Sequence, residues 1–269
     1  MTPSIAFIGG GNMASAIIGG LLKQGRKPGD ILVVEPFEAA RAKLLADYGI
    51  QALATPGAEL AHAGLVIWAV KPQTFKEAAA PIRPHTAAAL HLSVAAGIRS
   101  DSIAAWLGSE RIIRCMPNTP ALIGQGITAL YARAAVSPAD RDWASAVIAT
   151  TGQHLWLSQE DQLDAVTALS GSGPAYMFFF MEAMTAAGVE MGLERAQAYQ
   201  LAVATFSGAG ALAQASSESP ETLRERVTSK GGTTYAAITS MEASGVKQRF
   251  IQAMHAARDR AQELGKALA

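Results

Sequence analysis

The stretch Ile5-Ala6-Phe7-Ile8-Gly9-Gly10-Gly11-Asn12-Met13-Ala14 constrains the fold of this chain more than any other. Ile5 to Ile8 has the length and β-branched content of a buried strand. Three glycines follow, and Ala14 to Leu22 reads as a helix with small residues on one side. The order strand, tight turn, helix is what makes the glycines meaningful. Gly9 permits the turn, Gly11 lets backbone approach a pyrophosphate, and Ala14 fills the helix-packing position of G-x-G-x-x-G/A. The helix start then aims free N–H groups and its positive dipole end at phosphate. Alone, the same letters also describe an ordinary glycine-rich turn, so the surroundings decide.

Those surroundings alternate. Ile31 to Val34 is a second buried strand and ends at Glu35-Pro36. In a Rossmann unit an acid here accepts hydrogen bonds from the adenosine ribose and favours NAD over NADP; its plainer reading is a solvated loop acid. A helix over residues 37–48, a short strand Ile50 to Leu53, a brief helix Ala58 to Ala63 and a strand Leu65 to Val70 come next. The following strands are Ala88 to Val94, Arg111 to Cys115, Ile127 to Tyr131 and His154 to Leu157, with helices at Asp101 to Leu107 and Pro138 to Thr151. Loops at the carboxyl ends of such strands open onto a cofactor crevice. Ala69-Val70-Lys71-Pro72 is one, where lysine can approach phosphate or ribose. Ala95-Ala96-Gly97 is another, small enough for a nicotinamide ring to lie against backbone, and Pro117-Asn118-Thr119-Pro120 is a stiff third. The pattern predicts an α/β fold: a Rossmann-type doubly wound sheet in residues 1–160.

From residue 161 to 269 no convincing strand remains, and the expectation is an all-α domain. Pro174 to Gly192, Glu194 to Ala215, Pro220 to Val227, Thr234 to Ala243 and Val246 to Leu268 carry helical periodicity. Met177-Phe178-Phe179-Phe180-Met181 and Met184 leave the first of these little polar face, which in a small domain points to burial against a second subunit. Two glycine breaks interrupt the helices: Ser170-Gly171-Ser172-Gly173-Pro174 and Ser229-Lys230-Gly231-Gly232-Thr233-Thr234. Each sets hydroxyls and free N–H groups at a helix start, which suits an anion, although Ser and Thr also serve there as plain caps.

Composition narrows the function. With 22 basic and 22 acidic residues the net charge is zero, which gives no reason to expect nucleic acid or an anionic membrane as partner. The single cysteine, Cys115, excludes an intrachain disulfide and reads as a buried inert thiol. No histidine has a partner at metal-ligand spacing, so no metal is expected, and no leader precedes the first strand, so a cytoplasmic protein is expected. The chemistry then belongs to a nicotinamide cofactor.

At these loops the sequence resembles the Δ1-pyrroline-5-carboxylate reductases, which carry out the last step of proline biosynthesis. Phe7 to Met13, Ala69 to Pro72, Ala95 to Gly97, Arg114 to Pro120, Leu169 to Tyr176 and Val227 to Thr234 match in family order along essentially the whole chain. The resemblance implies hydride transfer from NADPH or NADH to a cyclic imino acid, in a homodimer and in some members a larger ring of dimers. It places cofactor at Ile8, Gly9, Gly10, Gly11, Asn12, Met13, Ala69, Val70, Lys71, Pro72, Ala95, Ala96, Gly97 and Asn118, to which the Rossmann reading adds Glu35. It places substrate at Ser172, Gly173, Ser229, Gly231, Gly232, Thr233 and Thr234; with the carboxylate on the Gly232, Thr233 and Thr234 N–H groups, the Thr234 hydroxyl is within reach of the reacting nitrogen, its plainer reading being a helix cap. Many members carry Ser or Thr near position 35 and use NADPH readily; here Val34-Glu35 leaves the choice between NADPH and NADH open. Two rivals fit less well: a β-hydroxyacid dehydrogenase needs a catalytic lysine that the stretch from Gly173 to Gly192 lacks, and a non-catalytic redox sensor has no need of the later anion loops.

Overall fold

The computed structural model describes residues 4–267. Seven strands, β1 (Ser4–Ile8), β2 (Ile31–Val34), β3 (Ala63–Trp68), β4 (Leu90–Ser93), β5 (Ile112–Met116), β6 (Gly126–Ala132) and β7 (Gly152–Trp156), form one sheet in the order β2-β1-β3-β4-β5-β6-β7. All neighbours are parallel except β5 and β6. The exception follows from the connection: residues 117–125 hold no α-helix that would carry the chain back across the sheet, so β6 returns antiparallel. The expected strand Ile50 to Leu53 shrinks to one parallel bridge, Val34 with Leu53.

Residue parity splits the core. Ile5 and Phe7 of β1 pack with Ile17, Ile18, Leu21, Val33, Leu65 and Ile67 on one face. Ala6 and Ile8 pack with Val66, Trp68, Phe75, Ala79, Ile82 and Ile103 on the other. Alternate residues of a strand point to opposite faces, so a strand that is apolar throughout must be covered twice. Helices α1 (Asn12–Lys23), α2 (Glu38–Tyr48), α3 (Phe75–Ile82), α4 (Ser100–Leu107) and α5 (Pro138–Ile148) intervene between the strands. Helix α3 is absent from the sequence expectation because Pro81 lies inside it; burial of Phe75, Ala79 and Ile82 holds the short helix despite the missing N–H. Phe75 stacks on Trp68 at a centroid distance of 4.6 Å, and each fully buried aromatic is worth roughly 1.5–3 kcal/mol.

Helix α6 (Gln162–Val166) runs on into a π-helical turn, Thr167–Gly171, closed by Ser172 N–H donating to the Thr167 carbonyl at 2.8 Å. Sequence reads this stretch as a glycine break. Instead the Thr167 and Ser170 hydroxyls donate to the carbonyls of Leu163 and Val166, and the helix widens rather than stops. Next come α7 (Gly173–Glu190), α8 (Arg195–Ala215), α9 (Pro220–Arg226), α10 (Thr233–Ala243) and α11 (Val246–Ala267). The expected end of the last helix, Leu268, lies outside the described residues.

By compactness the chain forms two units. One runs to Ser172 and takes in the chain from Ala257 on; the other is Gly173–Ala256. In the second unit, Tyr176 and Phe180 of α7 meet Phe250 of α11 edge-on at 5.7 and 5.6 Å. Phe178 and Phe179 nonetheless stay 58% and 67% exposed on the single chain. Among the described residues no helix is long and apolar enough to cross a membrane.

Candidate functional site

In the first unit the site is built where β1 to β4 end. Gly9 adopts φ +93°, and a Cβ there would stand 2.6 Å from the Ala69 carbonyl oxygen. Only glycine brings the first turn this close to the end of β3. Gly9 N–H donates to the Val34 carbonyl and Ala69 N–H to that of Ile8, both at 2.8 Å, so β1, β2 and β3 finish at one level. Gly11 is the extended residue that opens α1. It has no side chain to cap the helix, no acid occupies the first turn, and a Cβ added to it would project into open space. The helix start therefore keeps N–H groups without an intrahelical partner facing open space, the form a pyrophosphate site takes. Ala14 is fully buried, as the close-packed third position requires. Ile8 and Gly10 are buried in the turn, whereas Asn12 is exposed and Met13 packs partly on the core.

Glu35 differs from the sequence expectation. Rather than facing outward to a ribose, its carboxylate is 95% buried. It accepts from Gly10 N–H at 2.7 Å and from Phe37 N–H at 2.9 Å. It braces the glycine turn. Two neighbours that sequence reasoning passed over stand outside it. Arg41 Nη1 donates to the Glu35 and Pro36 carbonyls at 3.0 and 2.7 Å, and Phe37 is 73% exposed. The available signal was a basic residue one turn into the helix that follows the acid.

Val70 is half-buried, and Lys71 is exposed with no ion pair among the described residues. Pro72 begins a 3-10 turn that directs the chain away, closed by Thr74 N–H to the Lys71 carbonyl at 3.0 Å. After β4, Val94 N–H donates to the Trp68 carbonyl at 3.1 Å and Ala95 N–H to Ser93 Oγ at 3.3 Å. This leaves Ala96 and Gly97 half-buried at the apex. Asn118 holds its own loop by accepting from Ile127 N–H through Oδ1 at 3.0 Å, so it shapes that loop. Cys115 is buried beside the Ser93 carbonyl, and burial raises its thiol pKa, which removes it as a nucleophile. Among the described residues no group of three or more His, Cys, Asp and Glu side chains could hold a metal.

Ser172 ends the first unit. In the second, Gly173 opens α7. Before α10, Gly231 takes φ +76°, and Gly232 N–H donates back to the Ser229 carbonyl at 2.9 Å. That bond corrects one expectation: the Gly232 amide is engaged by its own turn, and the free donors at the helix start are those of Thr233, Thr234 and Tyr235. The N-cap is Gly232, so Thr234 lies inside the first turn and caps nothing. It is exposed. The loop thus offers three amides, a dipole end and a free hydroxyl, which suits a small carboxylate with a hydrogen-bonding group next to it.

Comparison with known proteins agrees at both ends of the chain. Residues 4–97 match the family model described as NADP oxidoreductase coenzyme F420-dependent, and residues 160–264 match that described as pyrroline-5-carboxylate reductase dimerisation. A curated pyrroline-5-carboxylate reductase from Pseudomonas aeruginosa is 46% identical, covering 99% of this chain and 98% of its own. A pyrroline-5-carboxylate reductase structure from Coxiella burnetii superposes with a TM-score of 0.90 at 36% identity, over 98% of this chain and 99% of that one. The Plasmodium falciparum pyrroline carboxylate reductase with NADP bound gives a TM-score of 0.87 at 26% identity, covering 98% of each chain. This chain belongs to the pyrroline-5-carboxylate reductase family.

Proposed function

We propose that this chain reduces Δ1-pyrroline-5-carboxylate to L-proline, the final step of proline biosynthesis, as a cytoplasmic homodimer. When bound, NAD(P)H supplies the hydride that adds to C5 of the cyclic imine, and a proton completes the amine at nitrogen. The residues of the chain bind and orient. The α1 start beyond Gly9-Gly10-Gly11, with Asn12 and Met13, takes the pyrophosphate. Glu35 holds that turn from beneath, and Arg41 and Phe37 border the adenosine end, where a cation accommodates a 2′-phosphate. Lys71 and Pro72 edge the crevice, Asn118 shapes its far loop, and Ala95, Ala96 and Gly97 give the nicotinamide a surface free of bulk.

The substrate carboxylate rests on the Thr233 and Thr234 amides, with Ser229, Gly231 and Gly232 shaping their approach. Ser172 and Gly173 complete the set of substrate-binding residues. The Thr234 hydroxyl orients the iminium N–H and stays bonded as nitrogen becomes neutral. Such positioning carries much of the rate of hydride transfer. A protonated imine is already electrophilic, so neither histidine nor buried carboxylate is required at the reacting bond.

The observation that carries this reading is a pair of helix starts opened by glycine with no side-chain cap, α1 and α10, in a chain of this family. Purified protein should consume NADPH or NADH one for one with proline formed from the imine. Because Thr234 caps nothing, Thr234→Ala should leave the melting temperature unchanged or slightly raised. It should lower kcat/KM by about 10–100-fold, the loss of a hydrogen bond to a charged group, and Thr234→Ser should retain most activity. A Thr234→Ala enzyme with normal turnover would remove the residue from the mechanism.

A further inference from the structure

We propose that Gly265, in the last turn of α11, is a positioning residue for the nicotinamide end of the cofactor. It rests on the reading that Ala95-Ala96-Gly97 carries that ring. α11 divides between the two units, and its part from Ala257 on belongs with the sheet. There Gly265 is buried, and a Cβ built on it would stand 2.9 Å from the Gly97 carbonyl oxygen. A real Cβ does not approach backbone that closely, so position 265 must lack a side chain for the turn to sit where it does. Gly97 in turn adopts φ +79°, and a Cβ on it would lie 3.6 Å from both Gly265 N and Leu264 Cβ. The helix end and the turn are in direct backbone contact.

The turn is otherwise anchored at its two ends and not at its apex. Upstream are the Val94 and Ala95 hydrogen bonds to Trp68 and Ser93. Downstream, Ile98 is fully buried and Ser100 N–H donates to Glu160 at 2.6 Å. Beside Gly97 and Gly265 lies a cavity of about 250 Å³ lined by Arg99, Arg114, Asp164, Gln262 and Lys266. The apex is thus backed by α11 on one side and by empty space on another. A methyl at 265 has room to displace the turn without disrupting the core, and hydride transfer is sensitive to such displacements.

The test compares Gly265→Ala with Ala261→Gly, which loosens the same helix at a buried position one turn away. Binding is measured by calorimetry for NADPH and for 2′-phospho-ADP-ribose, which lacks the nicotinamide ring. Gly265→Ala should weaken NADPH about five- to tenfold while leaving the fragment unchanged. It should also change the primary isotope effect seen with C4-deuterated NADPH. Ala261→Gly should melt earlier with both affinities intact. Equal NADPH affinity in Gly265→Ala and wild type would overturn the proposal, and so would parallel loss of NADPH and fragment. Ala96→Val separates the two layers: if it too leaves NADPH affinity unchanged, the ring does not lie on this turn and the inference falls with that reading. If Ala96→Val weakens NADPH and Gly265→Ala does not, the inference alone fails.

Discussion

Two buried titratable side chains carry distinct consequences. Glu35 holds two backbone N–H groups, so Glu35→Ser leaves both donors without a partner. That should cost about 1–3 kcal/mol of stability and weaken NADH and NADPH alike, because the glycine turn serves both. Arg41→Ala, by contrast, should weaken NADPH about tenfold more than NADH, since only NADPH brings a phosphate to that cation. Calorimetry with both cofactors on both variants checks the pair. A Glu35→Ser protein that melts normally and gains NADPH preference would return the carboxylate to the ribose. His91 is the second case. It is 99% buried and accepts from Trp68 Nε1–H through Nδ1 at 3.1 Å. Burial pushes its pKa from 6.5 down to about 4. The folded state keeps the ring neutral while the unfolded chain takes up a proton, so stability is whole above pH 6.5 and falls as pH drops towards 4. The loss across that window is about 3 kcal/mol. His91→Gln keeps an acceptor for Trp68 without the titration, and urea melts from pH 7 down to pH 4 should show a flatter acid limb. An unchanged limb would mean that other groups set it.

Elements were legible where one local signal ruled, and illegible where two competed. β1 with its glycine turn and α1 declares itself because length, composition and turn chemistry agree, and the apolar runs of β2, β3 and β4 do likewise. Helix α3 was hidden by Pro81, whose local penalty is outweighed by burial that no window of sequence reveals. The π turn at Thr167–Gly171 was hidden because serine and glycine spell a break, whereas hydroxyl back-bonding keeps the helix going. At the site, the loops were legible and the directions of the side chains were not: Glu35 turns inward, Asn118 serves its own loop, and Gly232 N–H is engaged by Ser229. Glu160, unremarked in the sequence, joins three elements. Its carboxylate accepts from Ser100 N–H, Ser100 Oγ and Arg114 Nη1, each at 2.6 Å, which ties α4 and β5 to the segment before α6. Burial works against its charge, but the bonds from Ser100 and Arg114 prevail and hold its carboxyl below the usual range. Glu160→Ala strands Arg114, itself 94% buried, and should destabilise the first unit by about 3–5 kcal/mol. Glu160→Gln should cost less because it still accepts from Ser100. Denaturant melts of the two variants rank them, and equal small losses would show that water replaces the carboxylate.

The whole molecule is uneven. The sheet unit fills both of its faces from one chain, but in the helical unit α7 buries only Thr185 and Gly188, and α8 only Ala198 and Ala202. A run such as Met177-Phe178-Phe179-Phe180-Met181 gains its hydrophobic stabilisation only when water is excluded, at roughly 25 cal/mol per Å² of apolar surface covered. One chain does not supply that cover. A second copy would, which accords with the match of residues 160–264 to a model described as pyrroline-5-carboxylate reductase dimerisation. Dimer stability then depends on concentration: each tenfold dilution removes about 1.4 kcal/mol per dimer, which lowers the melting temperature by roughly 1–2 °C. Introducing Phe178→Glu together with Phe179→Glu places charge where the partner is expected. Sedimentation should then show monomer and the reductase reaction should be lost. Calorimetry should still detect NADPH, because the phosphate cradle at Gly9 to Met13 lies wholly in the first unit. A doubly substituted protein that sediments as an active dimer would place the interface elsewhere on the helices, and one that binds no cofactor would show that the sheet unit itself depends on dimerisation.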